Sequence, residues 1–173
     1  ITERKRTENA LRASEEKYRD LVENSQDLIC THDLDGNLLS VNEAAVRLTG
    51  YSREALLQIN LKDALAPHSE ERFAAYLEQI KAQGQAQGTM KVRIANGEFR
   101  IWEYNNTLRA EGVANPIVRG CARDITERKQ AEEALQASKL IIEGIINTIP
   151  VRVFWKDKNL VYLGCNTAFA RDA

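Results

Sequence analysis

The chain repeats itself. Ile1-Thr-Glu-Arg-Lys5 returns as Ile125-Thr-Glu-Arg-Lys129, and Glu8, Ala10, Leu11, Ala13 and Ser14 return as Glu132, Ala134, Leu135, Ala137 and Ser138. The same spacing of 124 residues pairs Asp33 with Asp157, Leu39 with Leu163, Asn42 with Asn166, Ala44 with Ala168 and Arg47 with Arg171. A period of this kind marks a structural unit used more than once. The 173 residues therefore read as one whole unit and the opening of a second, a piece of a longer tandem array.

The repeated words sit at a junction. A strand-like run, 116–123, gives way to a charged helical run at Asp124-Ile-Thr-Glu127. Asp124 followed three residues later by Glu127 has the form of a capping box, so the sheet is expected to join the helix with little slack. Earlier in the chain, Leu28–His32 and Leu38–Val41 are short apolar strands around an Asp35-Gly36 turn. Asn42 opens a helix closed by Gly50, and Ser52 caps another. Pro67 breaks the chain, and Ser69 leads into the longest internal helix, through about Lys81, with Phe73, Ala74, Leu77 and Ile80 as its apolar stripe. Residues 83–88 read as a loop. Strands 89–95 and 99–108 flank Asn96-Gly97, the strongest hairpin signal present, and Gly112 turns into a last strand, 117–123. Five strands with hairpins at both ends and helices between strands two and three predict an α+β fold, an antiparallel sheet with its helices on one side.

Four of these pieces, in this order, resemble one family. Asp33-Leu-Asp-Gly-Asn-Leu-Leu-Ser-Val-Asn42 is similar to the opening hairpin of PAS sensory domains, Leu48-Thr-Gly-Tyr-Ser52 to the small-helix segment after it, and Asn96-Gly97 with its long strand to the central hairpin. Asp124-Ile-Thr-Glu-Arg-Lys129, after Val118-Arg-Gly-Cys-Ala-Arg123, resembles the closing motif and linker. The layout expected is a linker helix at 1–24, a PAS domain at 25–126, a second linker helix at 127–149 and the truncated start of another PAS domain at 150–173.

Composition excludes several classes. Lys and Arg (24) nearly balance Asp and Glu (25), so the basic excess of a nucleic-acid binder is missing. The most apolar run, 140–155, is interrupted by Glu143, Pro150 and Arg152 and is too short to span a bilayer, so no direct membrane contact is expected of this stretch. Cys30, Cys121 and Cys165 are odd in number and widely spaced, as small buried residues in a reducing cytosol would be. No nucleophile elbow, phosphate loop or metal-ligand spacing appears, so no catalytic or metal-binding residue is expected. In strand 99–108, Glu103 and Asn105 share a face and are candidate pocket groups; with Cys30 and Asn42 they form the candidate ligand set. His32 reads as a hydrogen-bonded strand end and His68, beside Pro67, as a surface or cap residue.

The resemblance adds expectations of its own. Family members that hold haem through the protein commonly use a histidine on the long internal helix, and 70–81 has none; the Asn-Cys-Arg-Phe signature of photoreactive flavin members is also missing. Neither haem nor a covalently reacting flavin is expected, which leaves a small polar or organic ligand. The implied function is a cytoplasmic sensory or interaction module that relays a signal through Asp124, Thr126 and Glu127 into the linker helix, and from there to an output domain in the same polypeptide. A sensor histidine kinase is the implied parent; the same linker words also occur in diguanylate cyclases and phosphodiesterases, and a dimerisation spacer that senses nothing is the alternative of another class.

The linker segments suggest a partner. Residues 1–24 lack Gly and Pro, place Glu8/Arg12 and Glu15/Arg19 four apart, and carry a thin stripe of Leu11, Tyr18, Leu21 and Val22. Residues 127–149 place Leu135, Ser138, Ile142, Ile145 and Ile149 at heptad-like spacing. Spacing alone fits both a solvated helix and a weak two-stranded coiled coil; the resemblance favours the second, with a homodimer through the linker helices and the sheet. Sedimentation should show a weak dimer. A protein that stays monomeric at about 100 µM, which corresponds to only about −5.5 kcal/mol, would count against it.

Overall fold

The structure, a computed structural model, describes residues 2–171 and forms two compact units, Ile1–Thr126 and Glu127–Ala173. The first begins with helix α1 (Thr2–Glu23) and continues with strands β1 (Leu28–His32) and β2 (Leu38–Val41). Four helices follow: α2 (Glu43–Thr49), α3 (Arg53–Leu56), α4 (Leu61–Ala64) and α5 (Glu70–Gln83). Strands β3 (Gln85–Arg93), β4 (Phe99–Arg109) and β5 (Ile117–Asp124) complete an antiparallel sheet in the order β2-β1-β5-β4-β3. The last strand thus inserts between the first and fourth, at the sheet centre.

Alternation decides which side chains face the helices. Val118, Gly120 and Ala122 of β5, Trp102 and Asn106 of β4, and Cys30 and His32 of β1 are all buried on that face. The β1–β2 register slips between Thr31 and His32, so that Cys30 lies opposite Val41 and His32 opposite Leu38. This irregularity lets Leu38 and Val41 both enter the core and leaves Leu39 half exposed. The core has two centres. Cys30, Leu38, Val41, Ala45 and Leu56 form one; Tyr76 and Ile80 of α5 pack with Ala86 and Val118 in the other.

The helix boundaries follow local chemistry. Asn42, Ser52 and Asn60 each cap the helix that follows, with a side-chain oxygen accepting a first-turn N–H. Gly50 and Gly84 end α2 and α5 in the left-handed conformation that glycine adopts at no steric cost. Two boundaries differ from expectation. The polar run after Gly84 is not a loop: β3 begins at Gln85 and pairs with β4 over nine residues. Helix α4 was not expected, and is held to the β1–β2 turn by Asn60, whose amide donates to the Asp35 carbonyl and to Asn37 Oδ1.

Asn42 joins three elements. Its Oδ1 accepts the N–H groups of Ile29 (3.0 Å) and Ala45 (3.1 Å), and its Nδ2 donates to the carbonyls of Val22 (2.9 Å) and Asp27 (3.1 Å). The end of α1, the start of β1 and the first turn of α2 therefore share one buried amide. Glu23 adds a second tie, accepting the Glu43 N–H and pairing with Arg53, which also donates to the Val41 carbonyl.

The second unit repeats this junction. It comprises α6 (Thr126–Thr148, whose first residue belongs to the first unit), the hairpin β6 (Phe154–Lys156) and β7 (Tyr162–Cys165), and α7 (Thr167–Ala170). Asn166 accepts from Val153 and Phe169 and donates to the carbonyls of Ile146 and Val151. Asn147 accepts the Thr167 N–H, as Glu23 accepts that of Glu43. Every partner lies 124 residues beyond its counterpart. An isolated hairpin is marginal in water, and this one is tied through Asn166 and Thr167 to the last turn of α6.

The junction can be tested by substitution. Asn42→Ala should cost about 2–4 kcal/mol, because it leaves several buried backbone groups without partners. Asn42→Asp should be similarly costly at neutral pH, since a carboxylate oxygen would face the Val22 and Asp27 carbonyls. Urea unfolding with an unchanged m-value checks both.

Candidate functional site

Between the inner face of the sheet and the helical segment 45–64 lies a cavity of about 80 Å³. Its wall is mainly apolar and includes Cys30, Leu38, Val41 and Leu56; Gly120 lies at the centre, paired with Cys30 on one side and Asn106 on the other. A Cβ on Gly120 would sit 3.0 Å from Asn106 Oδ1 and 3.1 Å from Cys30 Sγ, so any larger residue would press into the cavity wall.

A short polar chain crosses this otherwise apolar region. His32 is fully buried; its Nδ1 lies 2.7 Å from the Asp33 carbonyl and its Nε2 2.8 Å from the Tyr76 hydroxyl. A carbonyl only accepts, so Nδ1 carries the proton and Nε2 accepts from Tyr76. The Tyr76 oxygen in turn accepts from Asn106 Nδ2 at 2.7 Å. The whole chain is neutral. Burial pushes the His32 pKa below its ordinary 6.5, against the opposing effect of the Asp33 carbonyl, and burial raises the Tyr76 hydroxyl. Burial likewise pushes the Cys30 thiol up to about 12, which leaves it protonated and unreactive.

Trp102 lies beside this chain on β4. It is 3% exposed and lines the cavity, and its indole N–H has no hydrogen-bond partner. Among the described residues it is the one fully buried side-chain polar atom left so. A buried donor without an acceptor costs about 1–3 kcal/mol and calls for a physical explanation.

The expected ligand residues fall in different places. Cys30 lines the cavity. Asn42 does not: its side chain is spent on the junction with α1. Glu103 and Asn105 are exposed on the opposite face of the sheet, because the even-numbered residues of β4 are the ones turned inward. There they flank Cys121 and an ion pair in which Arg123 holds both carboxylate oxygens of Asp27, at 2.9 and 2.7 Å. His32 ends β1 and is hydrogen-bonded, as expected from the sequence, whereas Tyr76, Trp102 and Asn106 were not singled out there. A signal for Tyr76 was present: Phe73, Tyr76, Leu77 and Ile80 make a more regular helical stripe than one with Ala74. His32 is two residues from Cys30, on the same face of β1.

At the far end of the sheet, Asp124 and Thr126 tie the start of α6 to β4. Asp124 Oδ1 accepts both the Thr126 N–H and the Thr126 hydroxyl, and Thr126 Oγ1 accepts the Ile101 N–H at 2.8 Å. The Ile125 N–H donates to the Ile101 carbonyl. This corrects the expected capping box. Helix α6 starts at Thr126, Asp124 forms an Asx turn one residue ahead of the cap position, and no hydrogen bond returns from the exposed Glu127 among the described residues.

Among the described residues no group of three His, Cys, Asp or Glu side chains is placed to hold a metal ion, and no helix is long and apolar enough to cross a membrane.

The His32 chain makes stability depend on pH. A histidine whose pKa is lowered by folding stabilises the protein above its unfolded value and loses that contribution as pH falls below it. Stability should therefore be full above pH of about 6.5 and decline below it. Thermal melts from pH 8 to 5 should show the decline in the wild type. His32→Gln should flatten it while lowering stability throughout.

Comparison with known proteins gives the architecture its family. A family model described as the PAS fold matches residues 16–125. The chain is 26% identical over 147 residues to sporulation kinase E of Bacillus subtilis, which covers 85% of this chain and 19% of that kinase. It is 29% identical over 129 residues to the sensor histidine kinase TmoS of Ectopseudomonas mendocina, covering 73% of this chain and 13% of that protein. It thus spans a fifth or less of the length of these two kinases. Among solved structures, a domain of the sensory box sensor histidine kinase/response regulator from Geobacter sulfurreducens aligns with a TM-score of 0.56 at 28% identity, over 66% of this chain and 96% of that domain. The PAS domain of an HTR-like protein from Haloarcula marismortui aligns at 0.62 and 22% identity, over 70% of this chain and 99% of that one, and supports the fold alone. With its five-stranded sheet, flanking helices and family match over most of its length, the chain belongs to the PAS family of sensory domains.

Proposed function

We propose that this module reads a small molecule in the cavity beneath its sheet and passes the result to α6, as the sensory part of a sensor histidine kinase. The observation that carries the reading is a one-residue separation on β4. Trp102 lines the cavity, and its neighbour Ile101 supplies the N–H that Thr126 accepts and the carbonyl to which Ile125 donates. A ligand that shifts Trp102 moves the backbone to which the first turn of α6 is bonded. In this reading Asp124 and Thr126 are positioning residues and the helix is the output, biasing a two-state element further along the polypeptide. The kinase assignment draws on the relatives, which are named as kinases. The small size of the cavity and the commitment of both His32 nitrogens to protein partners favour a ligand well below the dimensions of haem or flavin.

The relay is tested in the full-length parent. Thr126→Val removes the hydroxyl that bridges Ile101 and Asp124 while keeping the shape of the side chain, at an expected cost of about 1–2 kcal/mol. Ligand binding to the module should survive within about threefold, whereas the change in autophosphorylation on adding ligand should shrink severalfold. If the variant responded to ligand as the wild type does, the route through Ile101 and Thr126 would be wrong.

A further inference from the structure

The polar chain from His32 to Asn106 has a direction, and a backbone carbonyl sets it. The Asp33 carbonyl only accepts, so His32 Nδ1 donates to it and Nε2 accepts from the Tyr76 hydroxyl. With its one proton spent on His32, the Tyr76 oxygen can only accept from its other neighbour, which turns Asn106 Nδ2 toward it at 2.7 Å. The other end of that carboxamide, Oδ1, is left beside Gly120, 3.0 Å from the point where a Cβ on this glycine would stand on the cavity wall. Asn106 is 6% exposed, and its Oδ1 accepts no hydrogen bond from the described residues. It is not sealed in: among the described residues Trp102 Nε1 is the one partnerless side-chain polar atom that the protein encloses completely. An unpaired acceptor of fixed orientation therefore stands on the cavity wall.

The other polar groups of the wall impose no polarity on a ligand. Both His32 nitrogens are taken, and the Thr49 hydroxyl donates to the Ala45 carbonyl. The hydroxyls of Tyr51 and Tyr104, both half-buried, can each give or accept a hydrogen bond. Arg93 is exposed at the rim. Among the described residues no carboxylate lines the cavity, so a cation would be buried there without a counter-charge, at high cost. A cavity of about 150 Å³ admits benzene, so one of about 80 Å³ suits something smaller. Resting on the reading of this cavity as the sensory site, we infer that its ligand is a neutral hydrogen-bond donor of about three to five non-hydrogen atoms, whose O–H or N–H is received by Asn106 Oδ1. Short alcohols and primary amides have this chemistry; ketones, ethers and hydrocarbons of the same shape do not.

Two molecules of one skeleton make the experiment. 2-Propanol offers an O–H, and acetone carries its oxygen in the same place with no proton to give. Methyl ¹³C spectra of the 173-residue protein, followed at Leu38, Val41 and Leu56 on the cavity wall, report the binding of each. 2-Propanol should bind at least about fivefold more tightly than acetone. It should also move the Asn106 side-chain carbonyl carbon downfield, read through the amide protons of the same side chain, whereas acetone should leave that carbon in place. In Tyr76→Phe nothing holds Nδ2, the carboxamide can present either end, and the preference should shrink to within about twofold. If acetone binds as tightly as 2-propanol, if 2-propanol binds without moving the Asn106 carbon, or if the preference survives unchanged in Tyr76→Phe, the donor inference falls while the cavity reading stands. If neither molecule shifts the wall methyl groups, both fall. The wild-type titrations decide the matter even if the variant does not fold.

Discussion

The buried Asn42 amide is the constraint on which the rest of the first unit depends. Four backbone groups from α1, the chain before β1, β1 itself and α2 converge on one side chain, with two acceptances and two donations. No aliphatic residue can meet that demand, and a carboxylate meets only half of it. The junction fixes where the incoming helix ends, and it seats α2 against the inner edge of the sheet. The ion pair of Arg53 with Glu23 is partly exposed and adds little energy by itself. Its value is in direction, since the same guanidinium also reaches the Val41 carbonyl and the Glu43 carboxylate. In the second unit Asn147 and Thr167 occupy the places of Glu23 and Glu43, so the charged part of this tie is dispensable whereas the asparagine is kept.

The interior pairs this rigid frame with a neutral polar chain. A fixed tautomer of His32, a tyrosine hydroxyl and an amide run from the β1–β2 turn across α5 to β4. Each group bonds its neighbour, so the chain specifies one arrangement of helix against sheet. The contrast is Trp102, a donor in the same layer left with nothing to bond.

Much of the architecture was legible in the sequence. Strands β1 and β2, the caps at Asn42 and Ser52, the Asn96-Gly97 hairpin and the repeat of 124 residues all rest on local chemistry, which a sequence displays directly. The pairing of Gln85-Ala-Gln-Gly88 was not legible, because its polar composition has little strand preference and its order comes from β4 alongside it. Nor was the inward face of β4. Both faces mix polar and apolar residues, and the tie is broken by Tyr76, a residue thirty positions away, which makes it favourable to bury Asn106. The candidate site was legible only at Cys30. Glu103 and Asn105 were chosen for polarity, but the cavity wall is mainly apolar, and which face of β4 meets it is decided only in three dimensions.

Gly120 gives the middle of the sheet a property that its apolar neighbours do not share. It stands on the central strand with Cys30 to one side and Asn106 to the other, and it contributes no atoms beyond its backbone to the cavity wall. The depth of the cavity at that point is therefore set by a missing methyl group. Paired changes, a larger residue here with a smaller one at Cys30, would move the floor of the cavity by fractions of an ångström while leaving the Asn42 junction and the Thr126 tie untouched. Cavity depth and helix attachment thereby answer to separate residues, and one can vary in evolution while the other is held.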